Sequence, residues 1–130
     1  MLVLDTSVAL EVAAAPARRR LLGDPRLIAP PLLWSEARSS LHARVHRGEL
    51  EREFAQRMLA ELESGWLESR THADLSMTVW RIADELGWIK TYDAEFVALA
   101  RLLRCRLVTT DARLRRGAAR AVDVVSPGEL

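Results

Sequence analysis

Cysteine occurs once in this chain, as Cys105, so no internal disulfide can form. Its surroundings, residues 102–107, are apolar and basic, where a small buried thiol is the expected role. No apolar stretch approaches the roughly 18–20 residues a membrane helix needs, and the expectation is a cytoplasmic protein without a membrane partner. No repeat, low-complexity tract or Gly/Ser linker divides the 130 residues, so one domain is expected. A dominant charge is also missing: 19 basic and 18 acidic residues leave +1, too little for a whole-molecule field to steer nucleic acid. Lysine is nearly absent, Lys90 being the only one among those basic residues. The arginines have planar forks that suit phosphate contacts, but they are scattered, and codon bias in a GC-rich genome yields the same excess. No Gly-rich loop followed by Lys and Ser or Thr occurs, which removes a phosphate-binding P-loop.

What is present is 49% hydrophobic content, enough to bury a core, arranged in short apolar runs and longer amphipathic stretches. Leu2, Val3 and Leu4 read as a strand that ends in Asp5, Thr6 and Ser7, where Thr6 or Ser7 can cap a helix carrying Val8, Leu10 and Val12. A second strand is expected at residues 27–29. Pro30-Pro31 then opens a helix over residues 32–46. The next helix, residues 49–63, shows Leu50, Phe54, Met58 and Leu62 at four-residue spacing. Trp66-Leu67 reads as a weak strand, and Leu75, Val79, Ile82 and Leu86 mark a helix stopped by Gly87. Thr91 can cap a helix bearing Phe96, Leu99 and Leu103, followed by a strand at 107–110, a helical turn at 112–116 and a last strand at 122–125. Strands alternating with helices predict an α/β protein, a three-layer α/β/α sandwich with a mainly parallel central sheet. In such folds ligands bind at the carboxyl ends of the strands.

Acids stand at those ends. Asp5 follows the first strand and Asp111 follows the strand at 107–110, so parallel strands would bring both carboxylates to one edge. Glu36 shares a helix face with core-directed positions, and Asp93 lies in the first turn of the helix that begins near Thr91. Carboxylates gathered on one edge suit Mg²⁺, which takes oxygen ligands. Without a cation they would raise one another's pKa. Thr6, Ser7 and Thr110 are candidate hydroxyls for orienting them. Each acid also has an ordinary explanation: Asp5 and Asp111 as helix caps, Asp93 as a partner of a helix dipole, Glu36 as an ion-pair partner of Arg38.

Four segments in order carry a more specific signal: LVLDTSVAL at 2–10, PPLLWSEARSSL at 30–41, TYDAEFVALA at 91–100 and LVTTDARL at 107–114. In these the chain resembles a PIN-domain protein, and more narrowly a VapC-type toxin ribonuclease of a bacterial toxin–antitoxin pair. The resemblance implies a single PIN domain over residues 1–130, with Asp5, Glu36, Asp93 and Asp111 as catalytic ligands of Mg²⁺ or Mn²⁺ and Thr6 and Thr110 as supporting hydroxyls. It implies endonucleolytic RNA cleavage by a metal-activated water, inhibition by an antitoxin, and homodimerisation. The stripe Leu50, Phe54, Met58, Leu62 is a candidate surface for either partner, or a core face. Arg38, Arg113 and Arg115 are candidate RNA contacts. Some family members have a further acid or Asn after the last Asp, and here Ala112, Arg113, Leu114 and Arg115 follow Asp111, so one strongly held ion is expected.

Competing chemistry is less complete. His42 and His46 are four residues apart on one helix, but no neighbouring Glu or Cys completes a zinc or histidine site. A haloacid-dehalogenase-like phosphatase needs an Asp at position 7, which is Ser7. The remaining alternative is a catalytically silent PIN-like module that binds RNA or protein.

Overall fold

Three consecutive apolar residues, Leu2–Leu4, form strand β1, and all three are buried. An unbroken apolar run is what a parallel strand covered on both faces requires. The computed structural model describes residues 1–130 and places four further strands around it: β2 (Leu27–Ala29), β3 (Glu68–Ser69), β4 (Arg106–Val108) and β5 (Val124–Val125). The order is β3-β2-β1-β4-β5, and every pairing is parallel. The chain therefore builds outward from β1 to β3 on one side, then returns to lay β4 and β5 on the other.

Six α-helices fill the connections: α1 (Thr6–Ala14), α2 (Leu32–His46), α3 (Arg52–Leu62), α4 (Leu75–Leu86), α5 (Tyr92–Leu103) and α6 (Ala112–Ala118). Short 3-10 helices occupy Pro16–Leu22 and Pro127–Glu129. Helices α1, α2 and α3 pack together, whereas α4 packs on α5 and α5 lies against β1 and β4. Right-handed crossovers explain the split, because reversing the direction of travel across a parallel sheet sends the helices to its opposite face. The result is the expected α/β/α sandwich around one continuous apolar core.

Several local expectations are corrected. Trp66-Leu67 is not a strand: the indole N–H of Trp66 donates to the Glu61 carbonyl (2.8 Å), and pairing begins only at Glu68. The last strand is confined to Val124–Val125, and α3 starts at Arg52 because Glu51 keeps an extended backbone. Neither Thr6 nor Ser7 caps α1. Asp5 does, accepting from the Val8 N–H, while Ser7 hydrogen-bonds back to Asp5. Thr91 makes no side-chain cap bond to α5. Of the expected stripe, Met58 and Leu62 on α3 are buried, and Phe54 on α3 and Leu50 just before it pack against the core, so it is a core face rather than a free docking surface.

Candidate active site

The reversal of strand order falls between β1 and β4, and at such switch points the loops at the carboxyl ends separate to leave a crevice. Register aligns Leu4 with Val108, so the residues that follow, Asp5 and Thr109, emerge side by side. The Asp5 N–H donates to the Val108 carbonyl (3.1 Å), extending the ladder by one step. Asp5 is 5% exposed, and both of its carboxylate oxygens accept hydrogen bonds. Oδ1 accepts from Ser7 Oγ (2.6 Å) and the Val8 N–H (3.1 Å), and Oδ2 accepts from the Thr109 hydroxyl. Thr110 acts one step removed, its hydroxyl donating to Ser7 Oγ (2.9 Å). Asp111 follows, its N–H donating to Thr109 Oγ1 (3.0 Å). Oδ1 of Asp111 caps α6 through the N–H groups of Arg113 (2.9 Å) and Leu114 (3.2 Å). Capping and membership of an acidic edge thus coexist in both aspartates.

Glu36 reaches this edge from α2, where Thr6 Oγ1 donates to its Oε1 (2.9 Å). Asp93 approaches from the first turn of α5. Burial raises the pKa of Asp5 above the ordinary carboxylate value against its hydrogen bonds from Ser7, Thr109 and Val8, and the charge of Asp111 adds to the rise. Glu36 is raised by burial, opposed by Thr6 and reinforced by Asp93, Glu95 and Asp5. Asp93 is raised by burial, with Arg113 opposing and Asp111 reinforcing. Thr109 joins Asp5 to Asp111, and Thr6, next to Asp5 in the chain, holds Glu36. Glu95, which the sequence reading passed over, is a fifth acid: it is half-buried, raised by burial, and felt by Glu36. Its spacing of two from Asp93 gave no hint, since two residues apart on a helix usually means different faces.

Glu36 and Asp93 also line an open cleft of about 500 Å³ with Gly87, Trp88, Ile89, Lys90, Tyr92, Arg113 and Leu114. Arg113, a candidate RNA contact, therefore lines the same cleft as two of the acids. Arg38 does not: it lines grooves beside α3 and along α2 with His42. Arg115 is ion-paired with Glu129 (2.6 Å), so its fork is already engaged. Thr109 and Lys90 were missed as site residues, although Thr109 stands one residue beyond β4 and Lys90 is the only lysine.

The donor set suits a hard divalent cation in chemistry, being made of carboxylates and hydroxyls without sulfur or imidazole. None of the four acids is ion-paired with a basic side chain. Oδ2 of Asp111, Oε2 of Glu36 and both Asp93 oxygens accept no protein hydrogen bond. As the side chains stand, no three acids, histidines or cysteines close on a single point. Mg²⁺ commonly uses only one or two carboxylates with waters completing its shell, so an open set of this kind fits it.

The sequence profile of the PIN domain matches residues 2–120. The chain belongs to the PIN-domain family. It is 34% identical over 115 residues to Ribonuclease VapC9 of Mycobacterium tuberculosis and to VapC ribonuclease Mb0985 of Mycobacterium bovis, covering 88% of this chain and 88% of each relative. That likeness places this PIN-domain protein in the VapC branch. Among solved structures, PAE2754 from Pyrobaculum aerophilum shares the fold with a TM-score of 0.76 at 24% identity, over 95% of this chain and 90% of that one. VapBC2 from Rickettsia felis, solved bound to a DNA fragment from its promoter, shares it with a TM-score of 0.68 at 14% identity, over 96% and 97%. No helix of the PIN domain is long and apolar enough to cross a membrane.

Proposed function

We propose that this PIN-domain protein is an endoribonuclease, the toxin of a toxin–antitoxin pair, hydrolysing RNA phosphodiester bonds at Asp5, Glu36, Asp93 and Asp111 with Mg²⁺ or, in its place, Mn²⁺. The observation that carries this reading is that Asp5 and Asp111, joined through Thr109 at the switch point of a parallel sheet, and Glu36 and Asp93 on the neighbouring cleft all lack ion-pair partners. Three of them hold protons more tightly than usual, chiefly through burial, so their ionised cluster is costly unless a cation joins it. Its relatives named VapC ribonuclease supply the substrate class. Membership of the VapC branch makes an antitoxin protein the expected partner, and a cytoplasmic homodimer the expected form.

A bound Mg²⁺ or Mn²⁺ supplies a water of lowered pKa and offsets charge that develops on the phosphate. The protein's part is orientation. Ser7, Thr109 and the Val8 N–H lock the Asp5 carboxylate, and Thr6 holds one oxygen of Glu36 while the other stays unbonded. Arg113, whose charge already acts on Asp93, is placed to neutralise an incoming phosphate oxygen. Attack by water breaks the bond from phosphorus to the 3′-oxygen, which leaves with a proton as a 3′-hydroxyl, and the phosphate stays on the 5′ end. The test is RNA cleavage by purified protein. Cleavage should vanish with chelator and return with Mg²⁺ or Mn²⁺. Undiminished cleavage in chelator would reject the metal site, and a folded protein inert with either ion would leave the silent binding module.

A further inference from the structure

One wall of the cleft beside Glu36 and Asp93 is the loop between α4 and α5, residues 87–91. It is a rigid wall. Gly87 closes α4 in the left-handed region (φ +70°), which a side chain would strain, and the Trp88 N–H donates to the Ala83 carbonyl (2.8 Å). The indole of Trp88 packs on α6 at Gly117, where an added Cβ would stand 3.1 Å from Cζ2. On this wall Ile89 is 100% exposed and Tyr92 is 56% exposed. A single apolar side chain in water needs no explanation, but here two flank the only lysine, Lys90, and all three line the cleft that contains Glu36 and Asp93.

The combination of a flat ring, an aliphatic neighbour and two basic side chains is the chemistry of a single-stranded nucleic-acid site. A duplex offers stacked, paired bases and cannot present one ring to Tyr92, whereas an unpaired nucleotide can be splayed onto it. We propose that this cleft is a nucleobase subsite for single-stranded RNA, in which a base beside the cleaved bond stacks on Tyr92 against Ile89 while Lys90 and Arg113 take the adjoining phosphates. Tyr92 lines the same cleft as Glu36 and Asp93, so a base held there lies beside these two acids. The inference rests on the ribonuclease reading above and adds the residues that seat a base.

The experiment measures anisotropy of fluorescently labelled single-stranded oligoribonucleotides, and of a matched RNA duplex, with the full chain in chelator so that the probe is not consumed. Single strands should bind more tightly than duplex. Tyr92→Ala should weaken single-strand binding about tenfold or more, and Tyr92→Phe, which keeps the ring, should retain it. Lys90→Gln should reduce the slope of log affinity against log salt by about 0.7. Leu21→Ala, exposed at the opposite, amino-terminal edge of the sheet, should change nothing. Equal binding by Tyr92→Ala and wild type, or a preference for duplex, would overturn the subsite. So would a Tyr92→Ala protein whose sedimentation changes without RNA while its RNA affinity does not, because the patch would then join copies of this chain. Failure of the ribonuclease reading shows differently, as wild type that does not cleave RNA with Mg²⁺ or Mn²⁺. A wild type that cleaves, with Tyr92→Ala binding and cleaving equally well, removes only the subsite.

Discussion

The hydroxyl of Thr109 donates to Oδ2 of Asp5, a residue 104 positions away, across the β1–β4 pairing. Oγ1 of Thr109 in turn accepts the Asp111 N–H (3.0 Å), so one buried side chain ties together the two aspartates at the carboxyl edge. Replacing it with the isosteric Thr109→Val should cost about 1–3 kcal/mol of stability, since a buried carboxylate oxygen and an N–H both lose their partner. RNA cleavage should fall about 10–100-fold, with more Mn²⁺ needed for half-maximal rate, and Thr109→Ser should recover most of both. Urea unfolding in chelator and cleavage across a Mn²⁺ titration provide the measurements. An unchanged metal requirement would reduce Thr109 to a packing residue.

Carboxamide substitutions test the acids themselves. Asp5→Asn, Glu36→Gln, Asp93→Asn and Asp111→Asn should each remove most RNA cleavage and relieve toxicity to a host cell. Glu63→Gln is the suitable control, because Glu63 is exposed beyond the last turn of α3. Glu61, which helical patterning places on the outer face, is half-buried and its carbonyl receives Ser64 and Trp66, so it serves less well. Equal loss of activity at Glu63 would show that the effect is not selective for the site.

The metal-free protein should lose stability as pH rises from the ordinary carboxylate range towards neutrality. Asp5, Glu36 and Asp93 bind protons more tightly when folded, chiefly through burial, so the folded state holds more protons in that window and ionisation works against it. The lowered groups Glu49, Glu68, Glu85 and Glu129 act in the other direction and lower on the scale: their contribution is present above the ordinary value and is lost as pH falls through their depressed values. Thermal unfolding across pH should therefore show a mildly acidic maximum in chelator.

Millimolar Mg²⁺ or Mn²⁺ should raise the midpoint at neutral pH, because a ligand of the folded state stabilises it by mass action. Asp93→Asn should leave the chelated protein as stable as wild type or slightly more so, and should shrink the metal increment. A variant less stable in chelator that keeps the full increment would mean that Asp93 serves α5 alone.

Cleavage products should carry 5′-phosphate and 3′-hydroxyl ends, and His42→Ala and His46→Ala should leave the rate within about twofold of wild type. Both histidines are exposed on α2 and line a groove with Arg38, apart from the cleft of Glu36 and Asp93. End-labelled RNA resolved against chemical ladders reads the products. Cyclic 2′,3′-phosphate ends made by pure protein would replace the water mechanism with attack by the ribose hydroxyl.

Local pattern was sufficient for the broad fold and for the acids that end strands. Leu2–Leu4 and Leu107-Val108 are unbroken apolar runs followed within a few residues by an aspartate, and alternation with helices makes such strands parallel, so Asp5 and Asp111 had to share an edge. Short elements were less legible: Trp66-Leu67 has strand-like composition, yet the pairing that defines a strand depends on where β2 lies. The stripe of α3 was legible as apolar but not as core, because periodicity marks a face and does not say what covers it.

By itself, then, the sequence determined the order of elements, the carboxyl-edge position of the aspartates and the oxygen-only chemistry of the acids, all of which follow from neighbours in the chain. Tertiary structure decided which side chains meet them. The register of β4 against β1 places Thr109, not Thr110, on the Asp5 carboxylate, and Thr110, beyond the end of β4, is exposed. The crossover through α4 and α5 brings Asp93, Glu95, Lys90 and Tyr92 to the site, while the turn of α2 carries Glu36 in and Arg38 away. These meetings join residues far apart in sequence, and they depend on strand register and helix packing, which no local window encodes.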